Sequence, residues 1–442
     1  MSNVALGVLS FGVLLGLLVI RIPIGVAMAA VGAAGFVWLS GLTPFLAYLK
    51  QTPWEVFANY SLSVIPLFLL MGNFAARSGL SANLYKAANG FLGHYKGGLA
   101  MSSVGACAAF GTICGSSLAT AATMGRVALP EMKKYGYSGA LATGSIAAGG
   151  TLGILIPPSV VLVIYAILTQ QNIAKMFLAA AIPAVLAVIG FMIAVRVYLA
   201  ISPESGPPSE AIPWRERLAR LGRVWPVVVI FLAVFVGMNG ENLFGRALFT
   251  PTEGAAVGAF GTCLAALTYG SLRLREIAEV LKDTAVQTAM IFLILLGADF
   301  YNAFLARTQM PMVAGDWVAG LGLAPVLVLL LIVAIYLVMG AMMDSLSMIL
   351  LTIPIFFPIV MALDFGLTPE HTAIWFGIVV LIVVELGLIT PPVGLNVYII
   401  NGLAKDVPMW ETFKGASIFL AAEIIRVGLL IAFPVLTLWL VT

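Results

Sequence analysis

Two adjacent prolines interrupt an apolar run at residues 153–165, "GILIPPSVVLVIY", and the same interruption recurs at residues 387–399, "GLITPPVGLNVYI". Each copy has a glycine, three residues, the proline pair, and then a valine five residues past the second proline (Val163, Val397). A proline pair removes two backbone donors and disfavours helix at the residue before it. In hydrocarbon, each carbonyl left without a partner costs several kcal/mol. Such a break persists only where another group pairs with the freed oxygens, and a buried cation is the natural partner. A plain proline kink is the alternative for one copy alone. Two copies in corresponding places argue against it.

The setting is hydrocarbon. The 442-residue chain is 62% hydrophobic and 9% charged, with a mean hydropathy of +1.09. Apolar runs long enough to cross ~30 Å of bilayer recur from end to end. The short alternating segments of a transmembrane β-barrel do not. The expected fold class is an all-α polytopic membrane protein without a sizeable soluble domain. Three cysteines (Cys107, Cys114, Cys263) form no CxxC pair, and two histidines (His94, His371) are too few for the usual metal enzyme. There is no GxxxxGK phosphate loop. An enzyme is not expected, nor a nucleic-acid partner at a net charge of +3. The N-terminus lacks a basic leader and is read as a retained first span.

Candidate spans are 4–20, 25–40, 62–77, 139–169, 174–199, 224–240, 254–269, 285–306, 371–402 and 415–440. Segments 97–135 and 322–362 are different. Each is apolar but broken near its middle by small and polar residues, "GTICGSSLATAAT" and "GAMMDSLSM". Arg215, Arg217, Arg220 and Arg223 mark the Pro/Ser-rich linker 202–223 as cytoplasmic by the positive-inside rule. Counting back from it puts Lys96 and Lys133 on that same side, so 97–135 enters the membrane and returns. Counting forward, 322–362 dips in from the opposite face. The predicted organisation is therefore an inverted repeat. Residues 1–201 hold scaffold spans, hairpin 97–135 and broken span 139–169; residues 224–442 hold scaffold spans, hairpin 322–362 and broken span 371–402. Amphipathic segments 80–94 and 272–284 read either as interfacial arms facing membrane lipids or as solvated loop helices.

The hairpin tips complement the proline breaks. The first offers Ser116, Ser117 and Thr120, with Gly111 and Gly115 for close backbone approach; the second offers Asp344, Ser345 and Ser347. An aspartate at membrane depth costs about 3 kcal/mol on insertion scales, so it needs a role or a partner. Hydroxyls, carbonyls and a carboxylate suit Na⁺ rather than a soft metal. Discontinuous helices meeting hairpin tips near the midplane are the pattern of a secondary transporter. A channel would need rings of like groups around a continuous pore.

Taken in order, "GSSLATAATMGRVALPEMKKYGYS", "GTLGILIPPS", "PTEGAAVGA", "MDSLSMILLTIPIFFPI" and "GLITPPVGLNVYI" make the chain resemble, over its whole length, the large membrane subunit of the tripartite ATP-independent periplasmic (TRAP) transporters. The resemblance implies Na⁺-coupled import of a small organic acid, a carboxylate, across the bacterial inner membrane by an elevator motion. It implies two partners, a periplasmic substrate-binding protein and a small four-span membrane subunit supplied as a separate polypeptide. Carried over by position, the sodium ligands would be Gly115, Ser116 and Ser117 with Pro157, Pro158 and Ser159, and Gly340, Asp344 and Ser345 with Thr390, Pro391 and Pro392. Substrate would meet Ser116, Thr120, Ser159, Asp344 and Asn396, with Arg307 the favoured cation for its carboxylate. The alternatives are that Arg307 snorkels at the end of its span and that Asn396 caps the helix restarting after the break. Asp299, Glu385 and Glu423 are intramembrane acids that could pair with Arg307 or Arg426. A stand-alone carrier of related architecture is the competing function.

Overall fold

The computed structural model describes residues 2–240, 246–269, 272–320 and 322–441. They form helices joined by short turns, with no strand among the described residues. Among the described residues six helices are long and apolar enough to cross a membrane, and the bent pair Gly139–Leu155 and Val160–Leu168, taken as one span, makes a seventh. Five more apolar helices are shorter. Three of these are hairpin arms, Gly98–Cys114, Pro325–Gly340 and Ser345–Met361. At 1.5 Å per residue such an arm reaches only ~25 Å, which suits an element that turns back.

Both breaks follow from local chemistry. Ser138 caps the helix Gly139–Leu155 by accepting from the Leu141 N–H at 3.3 Å. The helix stops before Pro157, and Ser159 caps its successor by accepting from Leu162 at 3.4 Å. The two pieces meet at 44°. In the second half Thr368 caps Pro369–Gly387, and the helix resumes at Leu395 after Gly394, which takes φ +55°. Both proline pairs are joined by cis peptide bonds. The hairpins turn by parallel means. Gly115 takes φ +65° and Ser116 caps Ser117–Lys134; Asp344 caps Ser345–Met361.

The core lies around the broken spans. In Pro369–Gly387, 89% of the apolar window is buried, against 39–44% in the other long apolar helices. This helix faces protein on all sides, whereas the others present a face to lipid. Around the core, the second span of each half packs on the third span of the other: Ile24–Ser40 against Leu274–Thr308, and Pro251–Thr268 against Val64–Arg77. The helix Met409–Ala432 lies against Gly139–Leu155 and Ile173–Ile201. It carries the buried ion pair between Glu423 and Arg426, whose guanidinium also donates to the Pro183 carbonyl at 3.0 Å.

The structure departs from the sequence expectation in three places. A helix, Leu42–Phe57, lies where no span was expected. Lys50, Gln51, Pro53 and Glu55 break its apolar pattern, and it is held by Tyr48, whose hydroxyl donates to Asp299 at 2.5 Å. Segment 272–284 is no separate arm: from Leu274 on it is the start of a 35-residue helix ending at Thr308. In helix Leu80–Leu92 the apolar face meets protein rather than lipid, while Lys86 stays exposed. Leu80, Leu84, Tyr85 and Ala87 are buried, and the helix packs between the first hairpin and the linker helix Trp214–Leu221.

The glycine of each proline motif has a packing role. A Cβ on Gly387 would lie 2.5 Å from the Gly340 backbone, and one on Gly153 would lie 2.7 Å from the Ser116 carbonyl. Gly387→Ala should therefore destabilise the protein by about 1–3 kcal/mol, because backbone rather than a flexible side chain must yield. Gly428→Ala, in a lipid-facing helix with nothing within 4 Å of the new methyl, should be neutral or stabilising by up to ~1 kcal/mol. Thermal unfolding in detergent compares the two; equal midpoints would remove the packing argument.

Candidate functional site

Each hairpin docks its tip on its own broken span. In the first half Gly111 approaches Gly153, and Gly115 lies under the Pro158 carbonyl, about 3.1 Å from where a Cβ would sit. In the second half Gly340 lies on Gly387, and the Gly394 N–H donates to the Ala341 carbonyl at 3.1 Å. Side chains at these glycines would hold the tips away from the breaks.

The two docked tips face a common cavity of about 340 Å³. Gly115, Ser116 and Ser117 line it from the first tip, and Asp344 and Ser345 from the second. Val160, at the restart of the first broken span, and Leu388, at the end of the second's first helix, border it. The caps Ser116 and Asp344 place two helix N-termini at its edge, where positive partial charge favours an anionic group. The opposite wall is Asn73 and Gln287, from the third span of each half. Asn73 donates to Thr284 at 2.9 Å and to Gln287 at 3.3 Å.

A second polar layer lies deeper. The buried Glu385 carboxylate accepts from the Ser345 hydroxyl at 2.6 Å, and its other oxygen has no partner. Ser117 lies beside this carboxyl without a well-formed hydrogen bond to any partner. Thr120 Oγ1 and Asn396 Oδ1 are likewise buried and unpartnered. These residues occupy the seam where helix Ser117–Lys134 meets the second broken span. Buried oxygens of this kind take a water or a hard cation. The donor set is all oxygen, and no group of three His, Cys, Asp or Glu side chains is assembled among the described residues. Such an oxygen set suits a hard cation rather than a soft metal.

Several sequence-derived candidates lie elsewhere. Arg307 does not line the cavity. It is exposed, donates to Ser40 at 3.0 Å and to the Ala303 carbonyl at 2.9 Å, and stacks 3.7 Å from the Phe36 ring centroid. Asn396 is no helix cap: Gly394 holds that position, and Asn396 donates across to the Ala147 carbonyl at 3.2 Å. Glu385 is held by Ser345 rather than by an arginine. Thr390 donates back to Leu386 at 2.8 Å. Pro157, Pro158 and Ser159 are buried, whereas Pro391 and Pro392 are exposed. Sequence reasoning missed Asn73 and Gln287. Each is an amide in an apolar span, which is the signal that would have found them.

The family profile described as "Tripartite ATP-independent periplasmic transporter, DctM component" matches residues 11–436. The chain belongs to this DctM family. It is 36% identical over 363 residues to the C4-dicarboxylate TRAP transporter large permease protein DctM of Pseudomonas aeruginosa, covering 82% of each chain. It is 30% identical over 433 residues to the sialic acid TRAP transporter large permease protein SiaM of Vibrio cholerae, covering 96% of each. A solved structure, that of the Alcanivorax borkumensis YdaH transporter, shares the fold at a TM-score of 0.65 and 16% identity, over 88% of this chain and 90% of that one. This DctM-family chain is thus a multi-pass transporter permease rather than an enzyme.

The cavity geometry separates Gln287 and Asn73 from Arg307. Replacing both amides by Leu should raise the KM for uptake about fivefold or more, the scale of one lost hydrogen bond of ~1 kcal/mol. Arg307→Gln should leave KM within about twofold, the scale of an exposed side chain. The reverse order in a reconstituted uptake assay would place substrate away from the tips.

Proposed function

We propose that this chain is the sodium-coupled permease of a TRAP system, importing a small organic acid across the bacterial inner membrane. The observation that carries the reading is the cavity where two hairpin tips and two interrupted spans converge. Its edge offers helix N-termini and amides to an anion, and the layer behind offers unpartnered oxygens to a cation. An anion and a hard cation bound in adjacent layers stabilise one another, which is the physical basis of symport. In this reading Ser116, Ser117, Asp344 and Ser345 hold ligands at the tips, while the carbonyls around Pro157–Pro158 and Pro391–Pro392 complete the sodium shells. The carboxylate is held by helix ends and the Asn73–Gln287 wall rather than by Arg307.

The same reading divides the molecule into two inverted copies of about five crossings each, with hairpins entering from opposite faces. The hairpins and broken spans form the body that moves, and the cross-packed second and third spans form the scaffold. An elevator motion slides the first past the second. The packed pair Trp225–Asn239 and Pro251–Thr268 exposes Val228, Val229, Leu232, Phe260, Leu264 and Leu267, an apolar face suited to lipid or to a small four-span subunit. A periplasmic binding protein delivers the acid. The relatives named for C4-dicarboxylates and for sialic acid share carboxylate chemistry, and this chain is assigned a carboxylate on that ground.

Uptake into proteoliposomes holding the chain with its small subunit and binding protein tests the reading. Asp344→Asn should raise the half-saturating sodium concentration about tenfold or more, the scale of a lost charge-assisted ligand. Ser116→Ala should cost less. If at least two Na⁺ accompany a monovalent acid, an inside-negative potential should drive uptake by ~2.3 kcal/mol per charge per 100 mV. Uptake indifferent to both sodium and potential would reject the coupling. Full uptake by this chain alone would assign a stand-alone carrier instead.

A further inference from the structure

A second polar cavity, of about 480 Å³, lies between helix Leu80–Leu92, the far end of helix Ser117–Lys134 and the linker helix Trp214–Leu221. Lys86, Arg220 and Arg223 line it, with Glu131, Tyr85 and Asn89. Arg220 is paired with Glu216 at 2.6 Å. Lys86 and Arg223 have no ion-pair or hydrogen-bond partner among the described residues. Tyr85 is only 2% exposed, and its hydroxyl, with Ser103 beside it, makes no well-formed hydrogen bond; nor does the Asn89 side-chain oxygen. A fully buried phenol could have been a phenylalanine if packing were its only task. An unsatisfied hydroxyl beside two unpaired cations is the donor set of an anion site.

The surroundings narrow the ligand. Trp214, Leu218 and Leu221 are exposed on the linker helix, an apolar stripe at helical spacing that suits the membrane interface. Trp225 is also exposed, and its indole donates to Tyr269 at 2.9 Å. Such aromatics sit at headgroup level, which places Arg220 and Arg223 at the depth of lipid phosphates. The linker upstream is tied to the base of the first hairpin. Gly206 and Ser205 carbonyls accept from Gly97 at 2.8 Å and Ser138 at 2.9 Å, and Ser209 donates to Gly93 at 2.9 Å. A ligand in this cavity therefore touches the hairpin, the helix preceding it and the linker at once.

We propose that this cavity binds a phosphate-bearing anion, supplied by the headgroup of an anionic phospholipid, and that the bound phosphate clamps the linker helix to the first hairpin. Lys86 and Arg223 provide the charge, and Tyr85 donates its hydroxyl to a phosphate oxygen. A soluble phosphate offers the same chemistry, so the test separates the two sources.

The purified full chain in detergent is titrated with phosphatidylglycerol, with phosphatidylcholine of the same acyl chains, and with inorganic phosphate at constant ionic strength. Thermal unfolding and native mass spectrometry are the readouts. Phosphatidylglycerol should bind and stabilise, and phosphatidylcholine should not. Lys86→Gln with Arg223→Gln should weaken phosphatidylglycerol about tenfold or more, the loss expected for two basic side chains at an anionic headgroup. Tyr85→Phe should weaken it less. Arg215→Gln, on the linker helix Trp214–Leu221 but outside the cavity, should retain the wild-type affinity. Both double-variant positions are exposed, so the unfolding midpoint in phosphatidylcholine should stay unchanged. Stabilisation by inorganic phosphate alone, lost in the double variant, keeps the site and assigns its ligand to solution. Equal loss in Arg215→Gln, or none in the double variant, overturns the site.

Discussion

The approach of two glycine backbones, once in each half, is the contact on which the rest of the structure depends. Gly111 against Gly153 and Gly340 against Gly387 bring each hairpin tip onto the interruption in its own broken span. Without that approach the carbonyls freed around the buried Pro157–Pro158 would face hydrocarbon, at a cost of several kcal/mol each. With it, each tip lies on its break, and the two tips meet around a single cavity. The prolines make the break, the glycines close it over, and the capping residues Ser116 and Asp344 turn helix ends toward the centre. Each device is ordinary alone. Their repetition in the same order builds a site with few charged groups.

Economy of charge follows from the medium. A buried carboxylate in lipid needs a donor or a cation, and each acid here has one. Glu423 has Arg426, Asp299 has the Tyr48 hydroxyl, and Glu385 has Ser345. The Tyr48–Asp299 pair ties two helices, and Arg426 ties its own helix to the Pro183 carbonyl. Glu385 differs, because its donor belongs to a hairpin tip. The tip geometry and the polar layer behind it are thus linked through one hydrogen bond. A transporter needs such a connection if its ions and its substrate are to be felt by the same moving element.

Much of this was legible in the sequence because the signals are local. The paired Pro–Pro motifs and the small-residue tips mark places where the helices break: one helix ends at Cys114 and the next starts at Ser117, and another ends at Gly340 with the next starting at Ser345. What was illegible depends on direction or on distant partners. Arg307 lies in the span that carries Gln287 to the cavity, but several turns further along it, and its side chain turns to Ser40 and Phe36. Asn396 reads from sequence as a substrate contact or a helix cap, whereas its partner, the Ala147 carbonyl, lies in the other half of the chain. Leu42–Phe57 escaped because Lys50 and Glu55 fall within it, and several of its anchors, Asp299 and the rings of Phe292 and Phe300, lie far along the chain. The pairing of Asn73 with Gln287 is likewise non-local.

The central claim is that the tips and breaks assemble a hard-oxygen site for sodium, so the most direct measurement is the thermal unfolding of the purified chain against sodium concentration. Potassium or choline replaces sodium to hold ionic strength constant. A ligand that binds only the folded state raises stability by RT ln(1 + [L]/Kd), about 2.7 kcal/mol at a hundredfold excess over Kd. The account predicts a saturable, sodium-specific rise in the unfolding midpoint that is diminished in Asp344→Asn. An unfolding midpoint that follows total ionic strength, with sodium, potassium and choline interchangeable, would contradict it.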